Sequence, residues 1–133
     1  MRGFIPYSNE DGRVPPWEYL PCSAITPKLG MALVQSSGNL AIATGTTKPT
    51  YICMREEAAA VPAGTLIPVL RVEPDQIFEC VNQASLSGVN IGQKVTLHAS
   101  NGLQVTGTTT SGVAAIVAKD GDAAGSRVLV RFD

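Results

Sequence analysis

The sequence predicts an all-β fold, a small barrel or sandwich of about ten short strands with at most one short helix. Two observations carry it. Apolar runs of strand length recur at close spacing, as in Met31-Ala32-Leu33-Val34, Leu40-Ala41-Ile42-Ala43 and Ile77-Phe78-Glu79-Cys80-Val81, with Gly, Pro or Asn between them. Of the 133 residues 44% are hydrophobic but only 5% aromatic, so a core must be filled with Val, Ile, Leu and Ala, the small side chains that suit a pleated sheet. A chain of this length buries one core, within one domain or two small subdomains that share it.

Residues 1–21 read as an extended N-terminal arm. Pro6, Pro15, Pro16 and Pro21, with Gly3 and Gly12, exclude a regular helix, and the Pro15-Pro16 pair favours polyproline geometry. Yet the arm holds Phe4, Tyr7, Trp17 and Tyr19, four aromatic residues in a chain with three Phe, three Tyr and one Trp, which is richer than a disordered tail would be. Two placements stay open. The arm wraps over its own domain with Trp17 capping the core, or it reaches a neighbouring subunit by strand addition at a sheet edge.

Residues 22–133 form the β-rich domain, with 22–81 and 82–133 as its possible halves. Met31 to Gln35 and Leu40 to Ala43 pair as a hairpin over the four-residue loop Ser36-Ser37-Gly38-Asn39, where Gly and Asn tolerate positive φ. Tyr51 to Met54 resumes a strand after Gly45-Thr46-Thr47-Lys48-Pro49. The run Arg55-Glu56-Glu57-Ala58-Ala59-Ala60 reads as a short helix or a charged loop, stopped by Pro62 and Gly64. Ile67 to Val72 and Gln76 to Val81 read as a second hairpin across Glu73-Pro74-Asp75, residues that suit a tight turn. From Asn82 to Ala118 the single full charge is Lys94. There Val95, Leu97 and Ala99 alternate with Thr96 and His98, Leu103 and Val105 follow, and Asn101-Gly102 between them is a strong hairpin signal. Val113 to Ala118 and the alternating Val128, Val130 and Phe132 close the chain around a loop at Asp120 to Gly125.

Composition narrows function by exclusion. A net charge of −1, with ten Lys and Arg spread from end to end, leaves no basic face for nucleic acid. No apolar run approaches the roughly 20 residues of a membrane span, and the start Met1-Arg2-Gly3-Phe4 lacks a signal-peptide core, which predicts synthesis in the cytoplasm. Cys22, Cys53 and Cys80 are odd in number and widely spaced, so they read as buried small hydrophobes rather than disulfides or zinc ligands.

No chemistry-bearing motif survives inspection. His98 is the one histidine and has no neighbouring nucleophile or acid in a triad pattern. Asp120 and Asp122 flank Gly121, but the further carboxylates and closing Glu of a calcium loop are missing. Thr106 to Gly112 contains glycine but lacks the Gly-Lys-Ser/Thr ending of a phosphate loop. Glu56 and Glu57 are adjacent and point apart, unlike opposed glycosidase carboxylates. Tyr51-Ile52-Cys53-Met54-Arg55 sits where a biotinyl carrier displays its modified lysine, and that lysine is absent.

Two stretches together resemble bacteriophage capsid decoration, or cement, proteins of the lambda type. The first runs from Leu29-Gly30-Met31-Ala32-Leu33-Val34 through Gly38-Asn39-Leu40-Ala41 and Thr47-Lys48-Pro49-Thr50-Tyr51-Ile52 to Ile67-Pro68-Val69 and Gln76-Ile77-Phe78-Glu79. The second joins Ile91-Gly92-Gln93-Lys94-Val95-Thr96-Leu97, Asn101-Gly102-Leu103-Gln104-Val105-Thr106 and Ser126-Arg127-Val128-Leu129-Val130-Arg131-Phe132. The resemblance implies a non-enzymatic protein without cofactor or metal, placed on the virion surface, which binds the major capsid protein and itself as a homotrimer. Nucleic acid, membrane and small-molecule substrate are not expected partners. Phe4, Tyr7, Trp17 and Tyr19 are then the expected interface residues, and deleting residues 1–20 is expected to leave a folded domain that binds less well. Two alternatives stand beside it: a small-ligand-binding β-barrel with its mouth at Thr106 to Gly112, and a phage tail or neck component.

Overall fold

The computed structural model describes residues 2–12 and 16–133, and these carry eleven strands and no helix. The strands are β1 (Ile5–Ser8), β2 (Trp17–Pro21), β3 (Ala32–Ser36), β4 (Asn39–Ile42), β5 (Tyr51–Cys53), β6 (Leu66–Arg71), β7 (Ile77–Asn82), β8 (Lys94–Val95), β9 (Gln104–Val105), β10 (Ala114–Lys119) and β11 (Arg127–Arg131). They build a sandwich. A six-stranded sheet has the order β1-β7-β11-β10-β8, with β9 parallel to β7, and a five-stranded sheet has the order β2-β6-β5-β3-β4.

The two sheets share one core. Phe78 and Cys80 of β7, Val128 and Val130 of β11, and Ile116 of β10 face Ala32, Ile52 and Leu70 of the five-stranded sheet. Phe132 sits among them, 5.1 Å from the Phe4 ring edge to face and 5.6 Å from Phe78. The alternation Val128, Val130, Phe132 is buried as the sequence predicts, with Leu129 and Arg131 on the opposite face.

The five-stranded sheet is apolar on its other face too, where Leu33, Leu40, Cys53, Ile67 and Val69 form a second cluster closed by Cys22, Met31 and Leu103. Burial on both faces explains why these strands read as continuous apolar runs rather than alternating ones. The sheet curls until its edges meet at a single bridge, Cys22–Leu40, backed by the Ser23 N–H donating to the Leu40 carbonyl at 2.8 Å, without closing into a barrel.

Of the two placements of the N-terminal segment, the structure has it packed on its own domain, as two edge strands. Ile5 and Pro6 pair with Glu79 and Phe78 at the edge of one sheet, and Trp17 to Pro21 pair with Leu70 to Leu66 at the edge of the other. Phe4 is fully buried. Its backbone is pinned where Gly3 N–H donates to Leu29 O at 2.8 Å and Phe4 N–H to Gly30 O at 2.6 Å. Only glycine fits at position 30, because φ is +84° and a Cβ there would stand 2.7 Å from the Gly3 carbonyl carbon. Deleting residues 1–20 would remove nearly all of two strands and a core ring, which argues against the expectation of an intact domain. Trp17 does not cap the core, since it lies on an edge strand and is 54% exposed. Pro15 of the Pro15-Pro16 pair lies outside the described residues.

Two turns differ from expectation, and one open alternative is decided. The β3–β4 loop is a two-residue turn, Ser37-Gly38, with φ of 53° and 86°, because Ser36 and Asn39 already pair. Of the two readings of Arg55 to Ala60, a short helix or a charged loop, the structure has the loop: the Glu57 and Val61 N–H groups donate to Pro27 and Ile25, so helix donors are spent on a neighbouring segment. The turn at Glu73-Pro74-Asp75 joins no hairpin. β6 is already flanked by β2 and β5, so the chain crosses to the other sheet, where β7 is flanked by β1 and β11. After β1, which belongs to the six-stranded sheet, β2 to β6 build one sheet and β7 to β11 complete the other. The Asn101-Gly102 reversal does bring its arms together, through the Leu97–Val105 bridge and the Thr106 N–H donating to Thr96 O, but as an irregular ribbon.

Candidate interaction surface

Of the four expected interface residues, the structure exposes three and brings two together. Trp17 and Tyr19 are two apart on β2, hence on one face. Across the pairing lie Leu70, Pro68 and Leu66, opposite Trp17, Tyr19 and Pro21. This face is the one that packs against the six-stranded sheet at Leu70 and Ile52. Beyond Leu70 it overhangs, leaving Trp17, Tyr19 and Leu66 exposed by 54%, 64% and 56%. Leu66 was not among the expected residues. The signal was present in period two, which groups Leu66 with Pro68 and Leu70, but the run Leu66-Ile67-Pro68-Val69-Leu70 hides which end leaves the core.

The backbone of β2 is open along part of its outer edge. Cys22 exchanges hydrogen bonds with the β6 side, donating to Thr65 O at 2.9 Å and accepting from Gly64 N at 2.7 Å. Alternation along an antiparallel strand then turns the amide groups of Leu20 and Glu18 toward β6, and those of Tyr19 and Trp17 outward. Pro68 agrees: it has no N–H, and its carbonyl accepts from Met54 on the β5 side at 2.9 Å. Among the described residues no strand pairs with this edge from Trp17 to Tyr19, while β4 meets it only at Cys22.

Arg71 braces the strand from the opposite face. Its Nε and Nη2 donate to the two carboxylate oxygens of Glu18 at 3.2 and 3.0 Å, and its guanidinium lies 5.8 Å from the Tyr51 ring centre. Glu18 raises the Arg71 pKa, chiefly through these hydrogen bonds. Tyr7 is 53% exposed but belongs to β1 in the other sheet, so it does not join the β2 strip. Phe4 is buried and has no surface to offer a partner.

The remaining candidates are placed in structural roles. His98 Nδ1 accepts from the Ser100 and Asn101 N–H groups at 3.0 and 3.2 Å, bracing the Asn101-Gly102 reversal. Asp120 accepts from Arg127 at 3.1 Å, and Asp122 holds Lys119, whose ammonium also donates to Val89 O at 2.8 Å. The ammonium thus supplies the positive charge of that loop itself. Glu56 accepts from the Leu29 N–H at 3.0 Å and pairs with Lys28 at 3.2 Å, and the Leu29 hydrogen bond first, then Lys28, lowers its pKa. Glu57 pairs with Arg55. Cys22, Cys53 and Cys80 are buried free thiols, and burial raises all three pKa values, that of Cys53 to about 11. A thiol so placed is a poor nucleophile near neutral pH. Among the described residues no group of His, Cys, Asp and Glu is arranged to hold a metal ion.

A cleft of about 520 Å³ opens at the end of the sandwich where β3 and β6 finish and β5 starts, with Phe132 at its floor. It lies away from Thr106 to Gly112, which is not part of its lining. Its walls come from four distant stretches of chain, so no sequence spacing announces it. Compared with known protein families the chain matches none, and no curated protein is found as a relative.

Proposed function

We propose that the chain is a non-enzymatic viral structural protein that binds the outer surface of an assembled phage capsid and stabilises contacts between major capsid protein subunits. The observation that supports this reading is the β2 strip: an edge strand with outward amide groups, flanked by exposed Trp17, Tyr19 and Leu66. An extended segment of a capsid subunit, or of a second copy of this chain, adds main-chain hydrogen bonds there while the aromatic rings bury area at modest entropy cost. A homotrimer presenting three such strips at a junction of capsid subunits gains affinity through effective concentration even where each contact is weak.

The test is the solution mass by light scattering, followed by co-sedimentation with mature phage heads. A trimer that sediments with heads at a fixed ratio is expected. Trp17→Ala with Tyr19→Ala is expected to weaken that association by at least about tenfold, the scale of interface anchors, with the thermal midpoint nearly unchanged. A monomer that ignores heads overturns the reading.

A further inference from the structure

The cleft beside Phe132 has a charge pattern that the β2 strip does not use. Two cations line it, Lys48 and Arg71. Arg71 is committed, because both carboxylate oxygens of Glu18 hold it and its guanidinium is laid against Tyr51. Lys48 is exposed and, among the described residues, has no hydrogen-bond or ion-pair partner. Thr50, two residues on, also lines the cleft, and its hydroxyl has no described partner either. The lining also holds apolar side chains, the partly buried Val34 and Val72, with the edge of the buried Phe132 behind them. The volume, about 520 Å³, falls within the roughly 300–1,000 Å³ of small-molecule sites.

We propose that this cleft binds a small organic carboxylate, its apolar body against Val34 and Val72 and its charge met by Lys48 with Thr50 donating beside it. The chemistry follows from the count of groups. One uncompensated positive charge matches one carboxylate, whereas a phosphate dianion would leave a charge unmatched, since the other lining cation, Arg71, is held by Glu18. The adjoining apolar wall asks for a hydrocarbon body, which a bare inorganic anion lacks. A neutral sugar would need an aromatic platform, and the Tyr51 ring is already engaged by Arg71. Organic cations are repelled by Lys48 and find no free carboxylate on the lining.

The experiment uses the full chain labelled with 15N and follows its amide resonances on titration with benzoate, with benzamide as the neutral isostere and inorganic phosphate as the bare anion. Benzoate is expected to give saturable shifts confined to Thr50, Tyr51, Val72 and Phe132. Benzamide is expected to bind at least about fivefold more weakly, the range for losing a charge-assisted hydrogen bond at a partly wet site. Lys48→Gln is expected to abolish the preference for benzoate without moving the thermal midpoint. No saturable shift, shifts centred elsewhere, benzamide binding equal to benzoate, or phosphate binding as tightly as benzoate overturns the proposal. The benzamide comparison reads the same point in the unaltered protein, so the result does not depend on the variant. None of these outcomes bears on capsid binding, which is tested separately at β2.

Discussion

Phe4→Ala removes a ring that lies 5.1 Å from Phe132 and is fully buried, so it leaves a cavity as well as lost apolar burial. The expected cost is about 3–5 kcal/mol in urea denaturation. Tyr7→Ala, at an exposed position in the same segment, is expected to cost under about 1 kcal/mol. Local sequence does not separate these residues, since both are aromatic and neighbour a proline or glycine; what distinguishes them is Phe132, at the far end of the chain. The thiols are a second case. A cysteine held protonated in the fold stabilises it below the unfolded pKa and loses that contribution as pH rises through the folded pKa. For Cys53 the window runs from about 9 to about 11. Stability measured by urea denaturation is expected to fall across it by up to about 1.4 kcal/mol per pH unit per thiol, and Cys53→Ala to flatten the slope. The burial of all three cysteines was legible from their apolar neighbours, because a lone thiol inside a strand-length apolar run has no other partner available.

The β3–β4 turn and the β6–β7 turn contain equally strong reversal residues, yet only the first is a hairpin. Ser37-Gly38 adopts positive φ at both central positions, the geometry that matches the twist of paired strands. Gly38→Val is expected to destabilise the fold by about 1–2 kcal/mol in thermal denaturation, since a β-branched residue resists that φ. Pro74 reverses the chain too, but hydrogen-bond capacity decides where the return strand goes, and β6 has both edges filled. That is why the strands could be read from apolar runs and turns, while their assignment to sheets could not. The β2 strip was half legible for a similar reason. Aromatic residues in a Pro-rich segment marked Trp17 and Tyr19 as unusual, but the overhang depends on where the other sheet stops, which no single segment records.

Because Phe4, Leu70, Phe78 and Val130 belong to one cluster drawn from both sheets, the two sheets are joined through a shared core, and the second cluster of the five-stranded sheet lies on the back of the same strands. Calorimetry is expected to show a single transition with equal calorimetric and van't Hoff enthalpies. A chain lacking residues 1–20 is expected to give no cooperative transition, since it lacks β1, most of β2 and Phe4 together. The early strands also set a schedule for synthesis. Ile5 pairs with Glu79, so the partner strand leaves the ribosome about 70 residues later. At typical elongation rates of about 5–20 residues per second, that is roughly 4–15 s. Trp17 and Tyr19 wait less, since their partner strand is β6, and they stay exposed in the finished fold. For those seconds it is Phe4, a ring the finished core buries completely, that travels uncovered, and a nascent chain stalled before β7 has left the ribosome offers it to chaperones that seize exposed rings.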